Sequence, residues 1–499
     1  MYSIRFYPTE KEGGKKFFSQ GRKPLWRSHY LFTDLIVINC FRPLAEYKFC
    51  GIILFMPKRN LILLIVLIIV CFTCFVRANR QERLMTHVMN LIENQYYYPG
   101  DDSPISKDDL LHLALSGMLH SLDPYSAYLP PVALDKMNET LDQRFAGIGA
   151  ELALSPKTKA LTVTALIYGS AAQKAGLKPG DEILSIDGNS TKDNSVSQAV
   201  ELLRGHPGEV VALNVQRAGT EKLIAIEITR SIIATSSAVG DRRLMDGQWK
   251  FFLPEAKDIA YIRITGFGFQ TAREMARLIP ALLKKGMRGL IIDLRGNPGG
   301  TLNSAVELCN LFVPENDVIV SIRSRTAVRN IQAQKGDKFR SFPIAILIDG
   351  QTASASEIVS SCLKDSSGKA APDGSVLNVK IIGSRSFGKG AVQDVFTLTP
   401  DQGAVKFTVA GYVSPSGKNI HRFPDAKPTD QWGVLPDEGF EVELSSKEAA
   451  KLQYWRKLRS MSIDLSVPGD DPPFGEPSKY DPCVKRALDF LNSPKLQIN

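Results

Sequence analysis

Residues 344–393 constrain the fold of this chain more than any other stretch. Ile344 to Ile348 is a short apolar run, the pattern of a strand buried on both faces. Asp349 and Gly350 break it, and Ala353 to Leu363 then reads as a helix with Ile358, Val359 and Cys362 on one side. Val379 to Ile382 is a second strand-like run. The same rhythm occurs upstream: strand 259–264, helix 271–285, strand 289–294, then a helix running to Phe312. Strand–helix–strand repetition predicts an α/β core with at least partly parallel strands.

Ser354 falls where a strand gives way to a helix start, beside unpaired backbone N–H groups and the positive end of the helix dipole. That position suits a nucleophile whose attack creates an oxyanion. It equally suits a helix cap, because Ser354 and Glu357 have the spacing of a capping box. Lys389 also has two readings. Gly383, Gly388 and Lys389 fit G-x-x-x-x-G-K, yet Gly390 stands where a phosphate loop needs a magnesium-binding hydroxyl, and AVQDVFTLT alternates like a strand. The alternative is a general base for Ser354. A free lysine, with a pKa near ~10.4, is charged at neutral pH, but burial beside apolar groups such as Phe387 lowers it.

At 499 residues the chain predicts about three domains. Its net charge of +9 is no nucleic-acid signal, since residues 1–59 carry eleven Lys/Arg against four Asp/Glu and the remainder is nearly balanced. The seven cysteines show neither zinc spacing nor a disulfide framework, and Cys309 and Cys362 read as buried thiols. The six histidines form no motif. Leu61 to Val76 is a nearly unbroken apolar run preceded by Lys58 and Arg59, which predicts an uncleaved anchor or a poorly cleaved signal with the body exported. Residues 1–55 lack periodicity, and Met56-Pro-Lys-Arg-Asn would itself start a signal. The expectation is therefore initiation at Met56, and a peptide from residues 1–55 in the native protein would overturn it.

Residues 81–138 read as helical, with LDPYSAYL (122–129) a turn-rich element of structural character. Residues 145–230 look like a PDZ domain. Phe145-Ala-Gly-Ile-Gly-Ala150 is a glycine-rich turn able to point N–H groups at a terminal carboxylate. The following strand, residues 151–154, and an amphipathic helix at 196–203 would form the groove walls. AAQKAGLKPGDEILSIDGNS (171–190) carries the most specific part of that likeness. Candidate peptide-binding residues are Phe145, Gly147, Ile148 and Gly149, and Arg204 ends the helix towards the catalytic body. Asn297-Pro-Gly-Gly300 is either a plain turn after a buried strand or half an oxyanion hole, shared with Ala355.

TASASEI (352–358) followed by SFGKGAVQ (386–393) resembles the signature of the C-terminal processing, or tail-specific, serine peptidases. LRGNPGG (294–300), LDPYSAYL and SPSGKNI (414–420) are similar to further family motifs, the last with Ser414 and Lys418 in place of threonine and arginine. The resemblance covers roughly residues 80–440. It implies Ser354 as nucleophile, Lys389 as base, Gln393 as the residue that orients the lysine, and Gly299 or Gly300 with Ala355 as oxyanion hole. The interval between serine and lysine is about ten residues longer than usual, and Asp365 to Asn378 reads as a polar loop bulging outward.

The expected architecture is α/β multidomain. A basic region (1–59) and an anchor (60–78) precede a helical segment (79–144), a PDZ-like β-rich domain (145–230), a Ser/Lys peptidase core with a partly parallel sheet (231–440) and a tail with a short helix (441–499). The implied partners are protein substrates with accessible C-terminal tails and a membrane, specifically the cell inner membrane with the core on its periplasmic side. No metal, cofactor or nucleic acid is implied, and a homo-oligomer or activating partner is left open. A catalytically silent PDZ adaptor and a phosphate-loop protein are the competing functions.

Overall fold

The computed structural model describes residues 57–78, 80–97, 105–217, 220, 222–399, 401–462 and 475–493, so the expectation for residues 1–55 lies outside it. The chain divides into two compact units, residues 1–118 and 119–499. In the first, helix Lys58–Ala78 is followed by Arg80–Gln95 and by most of Lys107–His120. Glu93 and Lys107 form an ion pair at 3.3 Å. The side chains described in the apolar run extend from Ile62 to Val70 and are mostly exposed. Among the described residues no helix is long and apolar enough to cross a membrane.

The second unit is built on a sheet in which strands Ala256–Ile264, Gly289–Asp293, Ile344–Ile348 and Val379–Gly383 are parallel neighbours in that order. Their composition follows from burial on both faces. Ile262, Ile292, Ile344, Ile346 and Ile348 face one cluster, packed under helices Thr271–Leu283, Leu302–Asn310 and Ala355–Ser366. Tyr261, Ile291, Ala345 and Leu347 alternate with them to the opposite face. There the closing helix Pro482–Leu491 supplies Val484, Ala487, Leu488 and Leu491, so the C-terminal segment completes the core. A second, antiparallel sheet of five strands contains Ala391–Thr397 and Ala404–Val413, with Ala127–Leu129 from the LDPYSAYL element on its edge. Lys389 sits in the short link between the two sheets.

Between Ser231 and the helical segment the PDZ-like domain forms its own six-stranded sheet, 150–154 to 224–229, around Val163, Ile183, Leu213 and Ile228. Strand Arg144–Gly147 pairs with Ser231–Ala234, which brings the entry and exit of this domain together at the core. Between helix Ala355–Ser366 and strand Val379–Gly383, the extra loop is largely exposed and anchored by the fully buried Leu377, so the added length does project outward.

Candidate active site

Ser354 stands at the tight corner between strand Ile344–Ile348 and helix Ala355–Ser366, with φ 55° and ψ −117°. A non-glycine residue in that region costs about 1–3 kcal/mol and persists only where its surroundings over-determine it. The surroundings do so. Ser354 N–H donates to Glu357 at 2.9 Å, Ala353 N–H donates to the Asn297 carbonyl at 3.0 Å, and Thr352 Oγ1 donates to the Leu294 carbonyl at 2.9 Å. Ser354 makes no side-chain cap hydrogen bond, and Glu357 N–H meets the Ser354 carbonyl at 2.8 Å instead. The capping-box arrangement that the spacing predicts is present, yet no cap hydrogen bond holds the hydroxyl.

The 294–300 loop lies directly against this corner. A Cβ on Gly299, whose φ is +101°, would fall 2.7 Å from the Ser354 Cβ and 2.9 Å from Ala355 N, so only glycine lets the two loops approach this closely. The two glycines differ in what they offer. Gly299 N–H is taken by Asn297 Oδ1 at 2.9 Å. The Gly299 carbonyl accepts from Phe267 N–H at 2.9 Å, and in a trans peptide this points Gly300 N–H away from Phe267. Among the described residues neither Gly300 N–H nor Ala355 N–H has a hydrogen-bond partner.

Glu357 ties the serine corner to the lysine link. Its fully buried carboxylate accepts from Ser386 Oγ at 2.6 Å, Gly388 N–H at 2.7 Å and Lys389 N–H at 2.8 Å, as well as from Ser354 N–H. Burial raises its pKa, and these four donors oppose the rise. Tyr412 makes a second tie: its hydroxyl lies 2.9 Å from the Ser354 carbonyl and 2.5 Å from the Lys389 carbonyl. Both carbonyls are acceptors, so the single phenolic proton is shared between the two segments.

Lys389 Nζ sits over the Tyr125 ring, 4.9 Å from its centroid. Among the described residues it makes no hydrogen bond, to Ser354 Oγ or to any other group. Burial depresses its pKa, Lys406 adds to that, and Glu357 and Asp123 oppose it. Phe387, the neighbour expected to bury it, is itself 44 % exposed. Gln393 does not reach the lysine either. A bulge at Val392/Gln393 sets it opposite Thr408, whose Oγ1 accepts its amide N–H at 3.2 Å. A phosphate loop is excluded here, because a strand follows Lys389 and the Gly388 and Lys389 N–H groups already hold a carboxylate.

A cavity of about 500 Å³ leads to the same corner. Phe145, Arg204, Gln143 and Phe267 line it, and Gly299 and Gly300 close one end. At the other end Arg204 pairs with Glu139 at 3.0 Å and lies over the Phe145 ring at 5.9 Å. Ile148 is buried, Gly147 pairs with Ser231, and Gly149 adopts φ +80°. Among the described residues the Ile148 and Gly149 N–H groups have no partner, as a carboxylate-binding turn requires.

Sequence reasoning missed Tyr412 and Tyr125 as parts of this site, and it read Glu357 only as a cap partner and Asn297 only as part of the oxyanion-hole turn. Of the two tyrosines only Tyr125 had a signal, the LDPYSAYL element, in which Asp123 accepts from Tyr125 N–H at 2.8 Å and fixes the turn that presents the ring.

Residues 258–438 match peptidase family S41, and residues 162–217 match the PDZ domain. The carboxy-terminal processing protease CtpA of Bacillus subtilis is 32% identical over 389 residues, 74% of this chain and 76% of that protein. The carboxyl-terminal-processing protease of Synechocystis is 30% identical over 369 residues, 73% of this chain and 80% of that protein. With a serine at a strained strand–helix corner and relatives of this identity along most of its length, the chain belongs to peptidase family S41, as a PDZ-containing serine peptidase of the C-terminal processing group.

Proposed function

We propose that this chain is a membrane-tethered endopeptidase that engages proteins by their C-termini and cuts peptide bonds with a Ser354/Lys389 dyad. The observation that carries this reading is the double tie of Glu357 and Tyr412, each of which bonds both the serine corner and the lysine link. Ser354 Oγ attacks the scissile carbonyl while neutral Lys389 Nζ takes its proton. The ammonium so formed returns that proton to the leaving amine, and Lys389 next takes a proton from the water that hydrolyses the acyl-serine. The negative oxygen of each tetrahedral intermediate accepts from the Ala355 and Gly300 N–H groups. Lys389 must leave the Tyr125 ring to do this, and its depressed pKa favours the uncharged form that gains least from that ring. Gln393 steadies the lysine in the reacting position, after exchanging its bond to Thr408.

The PDZ turn at Phe145, Gly147, Ile148 and Gly149 receives the terminal carboxylate, and the 500 Å³ cavity carries the chain onward to Ser354. The tether rests on the sequence alone: the apolar run Leu61 to Val76 behind Lys58 and Arg59 supports an N-terminus in the cytoplasm and a peptidase on the periplasmic side of the inner membrane.

Cleavage of a loosely folded protein with an apolar free C-terminus tests the division of labour. Lys389→Ala is expected to abolish turnover and keep tail binding. Wild-type turnover in that variant contradicts the dyad, and loss of tail binding contradicts the separate roles of core and PDZ domain.

A further inference from the structure

A second cavity, of about 910 Å³, lies between helix Ser446–Ser460 and the loops behind the active site. Arg263, Arg295, Arg456 and Lys457 line it, and among the described residues Asp349 is the one carboxylate in its walls. The positive charges are unequally neutralised. Arg295 is engaged by both Asp293, at 2.7 Å, and Asp481, at 2.8 Å. Asp293 thereby has its oxygens occupied, and Arg456 reaches it only at 3.5 Å. Asp349 Oδ1 accepts from Gly296 N–H and Gln351 N–H. Arg263 is half-buried and has no ion pair or hydrogen bond among the described residues, while Arg456 Nη2 donates to the Arg295 carbonyl at 3.2 Å and its Nε is buried without a partner. Burial depresses the Arg263 pKa, and the like charges of Arg456 and Arg295 add to it, while Tyr261 and Asp293 oppose.

A buried guanidinium N–H left unbonded, as at Arg456 Nε, is costly, and a structure tolerates it where a ligand supplies the acceptor. Two guanidinium groups and an ammonium around one space match the several oxygens and the double charge of a phosphate group, which guanidinium forks bind in pairs. We infer that this cavity is a binding site for a phosphate-class dianion, held by Arg263 and Arg456 with Lys457 at the rim. The space is larger than one phosphate fills, so the group has room for an attached organic body against Ala449, Ala450 and Tyr454. Gly296 and Gln351 form part of the wall, which sets the site immediately behind the two loops that carry Gly299 and Ser354.

Calorimetric titration of the full chain with inorganic phosphate and with glycerol phosphate, at constant ionic strength, tests this independently of any peptidase reading. Saturable one-site binding is expected, at least tenfold weaker in Arg263→Gln and in Lys457→Gln. A tighter fit of glycerol phosphate identifies an esterified ligand, and equal or weaker binding identifies the free anion. Absence of saturable binding in the wild type, or unchanged affinity in both folded variants, overturns the proposal. Should Arg263→Gln fail to fold, wild-type crystals soaked in tungstate decide it. Anomalous density between Arg263 and Arg456 is expected, and density elsewhere or none overturns the assignment.

Discussion

At the scale of single residues, Glu357 holds the account together. In the sequence it reads as the far end of a capping box, and half of that reading holds, since its carboxylate does take the Ser354 N–H. What the spacing cannot show is that the other three donors come from residues about thirty positions downstream. A glutamine there has one acceptor oxygen and an NH₂ that opposes two N–H donors. Glu357→Gln is therefore expected to lower the unfolding free energy by about 3 kcal/mol. It should also lower kcat/KM by about 100-fold or more through misplacement of the serine. Denaturant unfolding and steady-state kinetics check both, and wild-type values in either contradict the clamp. Tyr412 had no readable role, because a tyrosine in a strand is far more often packing than positioning.

At the scale of elements, the parallel strands were legible because burial on both faces leaves near-continuous apolar runs, as in Ile344 to Ile348. The nucleophile helix was legible too, and its observed limits, Ala355–Ser366, differ from the expected ones by a few residues at each end. The closing helix was found, but its importance was not. Asp481 caps it through Cys483 N–H and Val484 N–H and also clamps Arg295, two links that join residues 186 positions apart. Burial alone would raise the Asp293 pKa, and the charges of Arg295 and Arg456 more than reverse that, holding it well below the usual carboxylate range. Asp481→Ala leaves one carboxylate on a buried arginine and removes a helix cap. A loss of about 3 kcal/mol is expected. Chemical denaturation measures it, and a change within ~0.5 kcal/mol would show that the closing helix does not hold the 294–300 loop.

At the scale of the whole molecule, order along the chain was readable while the path through it was not. Phe145 of the PDZ-like turn and Gly299 and Gly300 of the oxyanion loop are separated by a long interval in sequence, and their convergence on one cavity depends on strand Arg144–Gly147 pairing with Ser231–Ala234. No local pattern encodes that pairing. Thr140 lines the cavity with an exposed side chain. Thr140→Trp is expected to reduce kcat/KM for a long polypeptide by about tenfold, while a short peptide that enters without the PDZ domain is cut as before. Equal losses for both substrates would remove the cavity from the substrate path.

The dyad itself is tested most directly by the pH dependence of kcat/KM, which reports the ionisation of the free enzyme. Because catalysis needs the neutral lysine, activity rises with pH through the Lys389 pKa, which burial and Lys406 hold below that of an ordinary lysine. Lys406→Gln removes a like charge, so the Lys389 pKa rises and the acid limb moves to higher pH. His421 packs against Gly390 and has its pKa lowered by burial, which makes it a rival base beside the lysine link. The account predicts a limb that shifts in Lys406→Gln and stays in His421→Gln. A limb indifferent to Lys406 and lost with His421 would contradict it.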